Sequence, residues 1–110
     1  MSDRADPQMF DRALDALERN GWYQGTYMGP DGGLCALGCL GYRSGRLPLI
    51  PSAALYDAEE LMSQIVEEHW PERLHGGRPV VDFNDDDRTT KADVRVLFEK
   101  ARAKAAEVVS

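Results

Sequence analysis

Leu34-Cys35-Ala36-Leu37-Gly38-Cys39-Leu40-Gly41-Tyr42 is the most apolar stretch of the chain. Apart from the Tyr42 hydroxyl, its side chains are small or hydrophobic, so it belongs where water does not reach. Glycines at 38 and 41 allow neighbouring backbone to approach closely. We read it as a short buried helix at the centre of the core, although periodicity over so few residues also admits a strand. Immediately before it, Gly29-Pro30-Asp31-Gly32-Gly33 combines fixed and positive φ angles in succession, which makes a turn. It lacks the Gly-x-x-x-x-Gly-Lys-Ser/Thr order of a phosphate loop.

Further toward the N-terminus, Trp22 to Met28 has no clean period and reads as extended or irregular chain. The preceding helix is defined at both ends. Asp6 supplies a capping oxygen, Pro7 sits where a missing N–H costs nothing, and Asn20-Gly21 closes the helix. Met9, Phe10, Ala13, Leu14 and Leu17 form its apolar face, on which Trp22 should fold back as a core anchor.

On the C-terminal side, Arg43 to Pro51 is an apolar loop carrying Pro48 and Pro51. Ala58, Leu61, Met62, Ile65, Val66 and His69 then follow helical spacing, with glutamates on the solvent side. Asp57 and Glu60 have the form of a capping box, a start as early as Ser52 is open, and Pro71 ends the helix after Trp70. After a loop over 72–78, Pro79 to Phe83 with β-branched Val80 and Val81 predicts a short extended segment. Thr90 and Asp93 cap a last helix through Val94, Leu97, Phe98, Ala101, Ala105 and Val108. The expected fold is one all-α domain over 1–110, a bundle of about four helices around the glycine-containing central helix, with one or two short extended segments.

Composition narrows the function classes. At 110 residues there is room for a single core, and no apolar run reaches the ~20 residues of a membrane helix. A net charge of −6 opposes attraction to nucleic acid and to anionic lipid. Met1 to Phe10 has no apolar signal region, and two cysteines make no disulfide scaffold, so a cytoplasmic setting is expected.

Asn20-Gly21-Trp22-x-Gln24-Gly25, Cys35-x-x-Gly38-x-Leu40, and Phe83-Asn84-Asp85 followed by Thr90-x-x-Asp93-Val94 and Phe98 span most of the chain. Together they resemble a family of small uncharacterised proteins of actinobacteria and their phages. The chain departs from that pattern at Phe83, where the family has Trp, at Asp93, where it has Glu, at Cys39, where Ala is common, and at Arg88-Thr89, where Gly-Arg is frequent. The resemblance implies a mainly helical fold and a bacterial or viral cytoplasmic setting, and it implies no reaction.

Four constellations could carry chemistry or binding. Cys35 opens a helix after a glycine turn, where free amides and the helix dipole can activate a thiol. A cysteine-dependent hydrolase or transferase would then use His69 or His75 as base and Asn84 or Asp85 to orient the imidazole. The bland alternative is that Cys35 and Cys39 are small buried hydrophobes. Cys35, Cys39, His69 and His75 have zinc-ligand chemistry at poor spacing. Asp82, Asn84 and Asp86 occupy alternate positions as in a calcium loop, with Asp93 eleven residues after Asp82, without its glycine or its final glutamate. Tyr23, Tyr27, Arg43 and Arg46 are residue types that anchor protein interfaces. The composite expectation is a small acidic interaction module without cofactor or metal, phage-encoded and bound to a host protein, with a homodimer open as well. The cysteine enzyme is the alternative.

Overall fold

The computed structural model describes residues 5–25, 28–41 and 53–109. Among them are five helices: α1 (Pro7–Asn20), α2 (Ala36–Leu40), α3 (Ala53–His69), α4 (Pro79–Asp85) and α5 (Lys91–Val109). A single 3-10 turn, Pro71–Arg73, links α3 to the loop before α4. No sheet forms among the described residues; the extended chain is limited to isolated bridges that pair Leu34 with Trp22 and with Met28. The all-α expectation holds.

The helix ends show how local chemistry sets the boundaries. Asp6 Oδ1 accepts from the Met9 amide at 3.1 Å, and the Gly21 amide returns to Leu17 O at 3.0 Å with φ +83°. At α5, Thr90 Oγ1 accepts from Asp93 N and Asp93 Oδ2 accepts from Thr90 N, both at 3.2 Å, which completes the expected reciprocal cap. α2 is shorter than the apolar stretch from which it was read. Cys35 is its N-cap, with Sγ accepting from Gly38 N at 3.3 Å, and Gly41 ends it at φ +123°.

Two expectations are corrected. Pro79 to Phe83 is not extended but forms most of α4, whose first helical residue is Pro79. The helix-disfavouring cost of Val80 and Val81 is a few tenths of a kcal/mol each. Helical spacing instead turns Val80 and Phe83 onto one face, both fully buried in the core, at about 1.5 to 3 kcal/mol apiece. Burial wins. Asp57 does not cap α3 either, because the helix already runs from Ala53. Its Oδ2 accepts from the Ala5 amide at 2.8 Å instead and ties the entry of α1 to α3.

α1 packs against α5 and α2, and α3 packs against α4 and α5. Phe10, Leu17, Leu37, Met62, Ile65, Phe83, Leu97 and Phe98 fill the space between them. α2, with Ala36 to Cys39 all buried, packs against α1 and α4 in the core. The Arg43–Pro51 loop, Tyr27, Arg43 and Arg46 lie outside the described residues.

Candidate functional site

The chain segment leaving α1 has little regular structure, and it is held in place by side chains of α4, Asn84 above all. Asn84 Oδ1 accepts from the Trp22 indole at 2.7 Å and from the Ala36 amide at 2.9 Å. Asn84 Nδ2 donates to Tyr23 O at 3.1 Å and to Asp85 Oδ1 at 3.0 Å. Both lone-pair directions and both hydrogens of the amide are used, which is the full capacity of the group. Gln24 adds two bonds, donating through Nε2 to Asn84 O and Asp86 O at 3.0 Å each, and Gly25 N donates to Asp85 Oδ1 at 2.9 Å. The three sequence motifs therefore meet at Asn84.

This junction fixes an exposed aromatic ring. Tyr23 N donates to Leu34 O at 3.1 Å, so both backbone groups of Tyr23 are bonded. Its ring lies over Gly29: a Cβ added there would fall 2.3 Å from Tyr23 Cδ1, so only glycine admits this placement. The glycine turn is closed by Gly29 N to Gly33 O at 2.7 Å and Gly32 N to Gly29 O at 3.0 Å. Tyr23 nevertheless keeps 36% exposure, and Met28, also bridged to Leu34, keeps 51%.

A second polar cluster joins the loop before α4 to the turn after it. Asp82 Oδ2 accepts from His75 N at 2.9 Å and Gly76 N at 2.8 Å. Burial opposes ionisation of Asp82, but the amides of Gly76, His75 and Gly77 outweigh it and hold the carboxyl below its ordinary range. Asp86 accepts from Arg88 Nε at 2.9 Å, Arg88 Nη2 at 2.9 Å and Arg88 N at 2.8 Å, and lies 2.7 Å from His75 Nε2. The Arg88 side chain, then His75, then the Arg88 amide hold the Asp86 carboxyl far below the usual carboxylate range. Arg88 also donates to Glu72 O at 2.7 Å. Nearby, Arg73 donates to Thr89 Oγ1 at 3.0 Å and Asp93 Oδ2 at 2.9 Å, with its guanidinium 5.6 Å from the Phe83 ring centre.

The candidate catalytic residues are placed apart. Cys35 and Cys39 are 8% and 6% exposed. Burial pushes the Cys35 thiol up, only partly offset by the Gly38 amide, which is the opposite of what a thiolate nucleophile needs. Among the described residues, Cys35 makes no hydrogen bond to an imidazole. His69 is exposed at the end of α3 beside Glu68 and Trp70, and His75 faces Asp86. Asn84 does reach the α2 entry, but through the Ala36 amide, and Asp85 turns to Gly25. The residue that orients a histidine is neither Asn84 nor Asp85 but Asp86, which is buried. The four calcium candidates point to separate partners, with Asp82 and Asn84 inside a helix, and no group of three or more His, Cys, Asp or Glu side chains is placed to hold a metal among the described residues. Also among those residues, no helix is long and apolar enough to cross a membrane.

These features define a small all-α domain in which an irregular aromatic loop is pinned by a buried asparagine. The chain belongs to a family of unknown function (DUF6197), whose model matches residues 1–104. No curated protein and no solved structure matches it.

Proposed function

We propose that this chain is a small acidic interaction module of the cytoplasm that docks on a protein partner through the loop carrying Tyr23 and Met28. The resemblance of its motifs to those of small actinobacterial and phage proteins favours a setting in which a phage-encoded copy engages a host protein. The observation that carries the reading is the fixed, exposed Tyr23 ring. Large aromatic side chains dominate interface energies, and one already held by its own backbone and by a glycine seat loses little conformational freedom on binding. Immobilising a free side chain would instead cost about 0.5 to 1.5 kcal/mol. Met28, bridged to Leu34 as Trp22 is, adds exposed, adaptable apolar surface.

The test is site-specific photo-crosslinking in actinobacterial cells, with a benzophenone side chain at position 23 and a control at Lys104 on α5. A discrete protein adduct at 23 that disappears on adding Met28→Asp is expected. The same pattern at both positions, or loss of no adduct on altering Met28, would contradict it.

A further inference from the structure

We propose that His75, held by Asp86, is a nucleophilic site that accepts the acyl group of a neutral activated ester. This stands independently of the Tyr23 reading. Asp86 is fixed as a carboxylate by Arg88 and so can only accept hydrogen bonds; the 2.7 Å contact therefore places the hydrogen on His75 Nε2. In the neutral ring this leaves the lone pair on Nδ1. The His75 side chain is 57% exposed while that of Asp86 is 5% exposed, an arrangement in which a buried carboxylate orients an accessible imidazole. His75 lines a shallow surface pocket, open to solvent, together with Asp85, Asp86, Asp87 and Arg88.

The charge of that pocket selects the substrate class. Three carboxylates face one guanidinium, and Arg88 is already engaged by Asp86 and Glu72 O. Phosphorylated or carboxylated donors are repelled, and neutral acyl donors are not. In the step, the Nδ1 lone pair forms a bond to the acyl carbon and the acyl–oxygen bond breaks, its electron pair leaving with the alcohol or phenol oxygen. Positive charge on the ring faces Asp86 until the Nε2 proton passes to water or to the leaving oxygen. Water then attacks the acyl-imidazole, releasing the carboxylic acid and restoring the ring. His69, 3.9 Å from Glu68 Oε2 with both side chains exposed, is the internal comparison.

The test uses p-nitrophenyl acetate with the full chain, reading p-nitrophenolate release and mapping acetyl groups by mass spectrometry after an acid quench. Release roughly tenfold above that of equimolar free imidazole is expected, less than the ~10²- to 10⁴-fold of a positioned acid or base in an enclosed site, because His75 is open to solvent. His75→Gln should abolish the excess, His69→Gln should leave it unchanged, and acetyl should be found on His75 in preference to His69. Because Asp86→Asn also releases Arg88, the mapping of the two histidines in the unaltered chain decides the matter without that variant. Release no faster than free imidazole, persistence in His75→Gln, or equal acetylation of both histidines would overturn the proposal.

Discussion

The indole Nε1 of Trp22 donates to Asn84 Oδ1 across 2.7 Å, joining residues 62 positions apart, and the same oxygen receives the Ala36 amide. The segment after α1, the first residue of α2 and α4 are thus referred to one atom. Asn84→Ala leaves the indole and the Ala36 amide without their acceptor in a buried setting. A loss of roughly 3 kcal/mol is expected, at 1 to 3 kcal/mol per unpaired group, measured by urea unfolding. Asn84→Asp keeps the acceptor but sets an oxygen against Tyr23 O and Asp85 Oδ1. Its deficit should shrink as the pH falls and the new carboxyl gains a proton.

Cys35 is a cap and a core residue together. Cys35→Ala should cost about 0.5 to 1 kcal/mol through loss of the bond to Gly38, while Cys35→Ser keeps an acceptor at that position. Iodoacetamide should label the folded protein slowly at neutral pH and rapidly once urea unfolds it. Fast labelling of the folded chain would revive the cysteine enzyme.

Asp86 and Asp82 both have folded-state carboxyls held below the ordinary range. Their stabilisation is complete above the unfolded value near 3.9 and is lost progressively as the pH falls below it toward the folded values. Asp86→Asn should therefore be less stable than the parent at pH 7, and the gap should narrow on acidification. Thermal unfolding between pH 7 and pH 2 checks the sign.

Gly29 is required by its neighbour and not by a positive φ. Gly29→Ala brings a methyl group into the Tyr23 ring and should displace it. In the background Tyr23→Ala the same substitution should be close to neutral in stability. A double-mutant cycle with no coupling between the two positions would contradict the seating of the ring.

Both ends of α1 and the start of α5 were legible because Asp6, Thr90 and Asp93 accept from amides within their own turn and Gly21 returns its amide to Leu17 O. α4 was not, since Val80 and Val81 favour extended chain locally and packing against α3 and α2 repays the helix. Asp57 misled for a related reason: its sequence context suits a cap, while its partner is an amide 52 positions away. Asn84 stands in a sequence motif, but three of its four side-chain partners lie 48 to 62 positions off, with no periodicity to announce them. The orienting role given to Asn84 or Asp85 falls to Asp86, because the bend after α4 points that carboxylate at His75.

Hydrogen exchange of the Trp22 indole N–H, followed by proton NMR, bears most directly on the asparagine junction that holds the Tyr23 loop. A bond of this kind exchanges only when the loop detaches, so strong protection is expected in the parent chain and its loss in Asn84→Ala that is still folded by circular dichroism. Exchange at the rate of free indole in the parent chain would contradict the account.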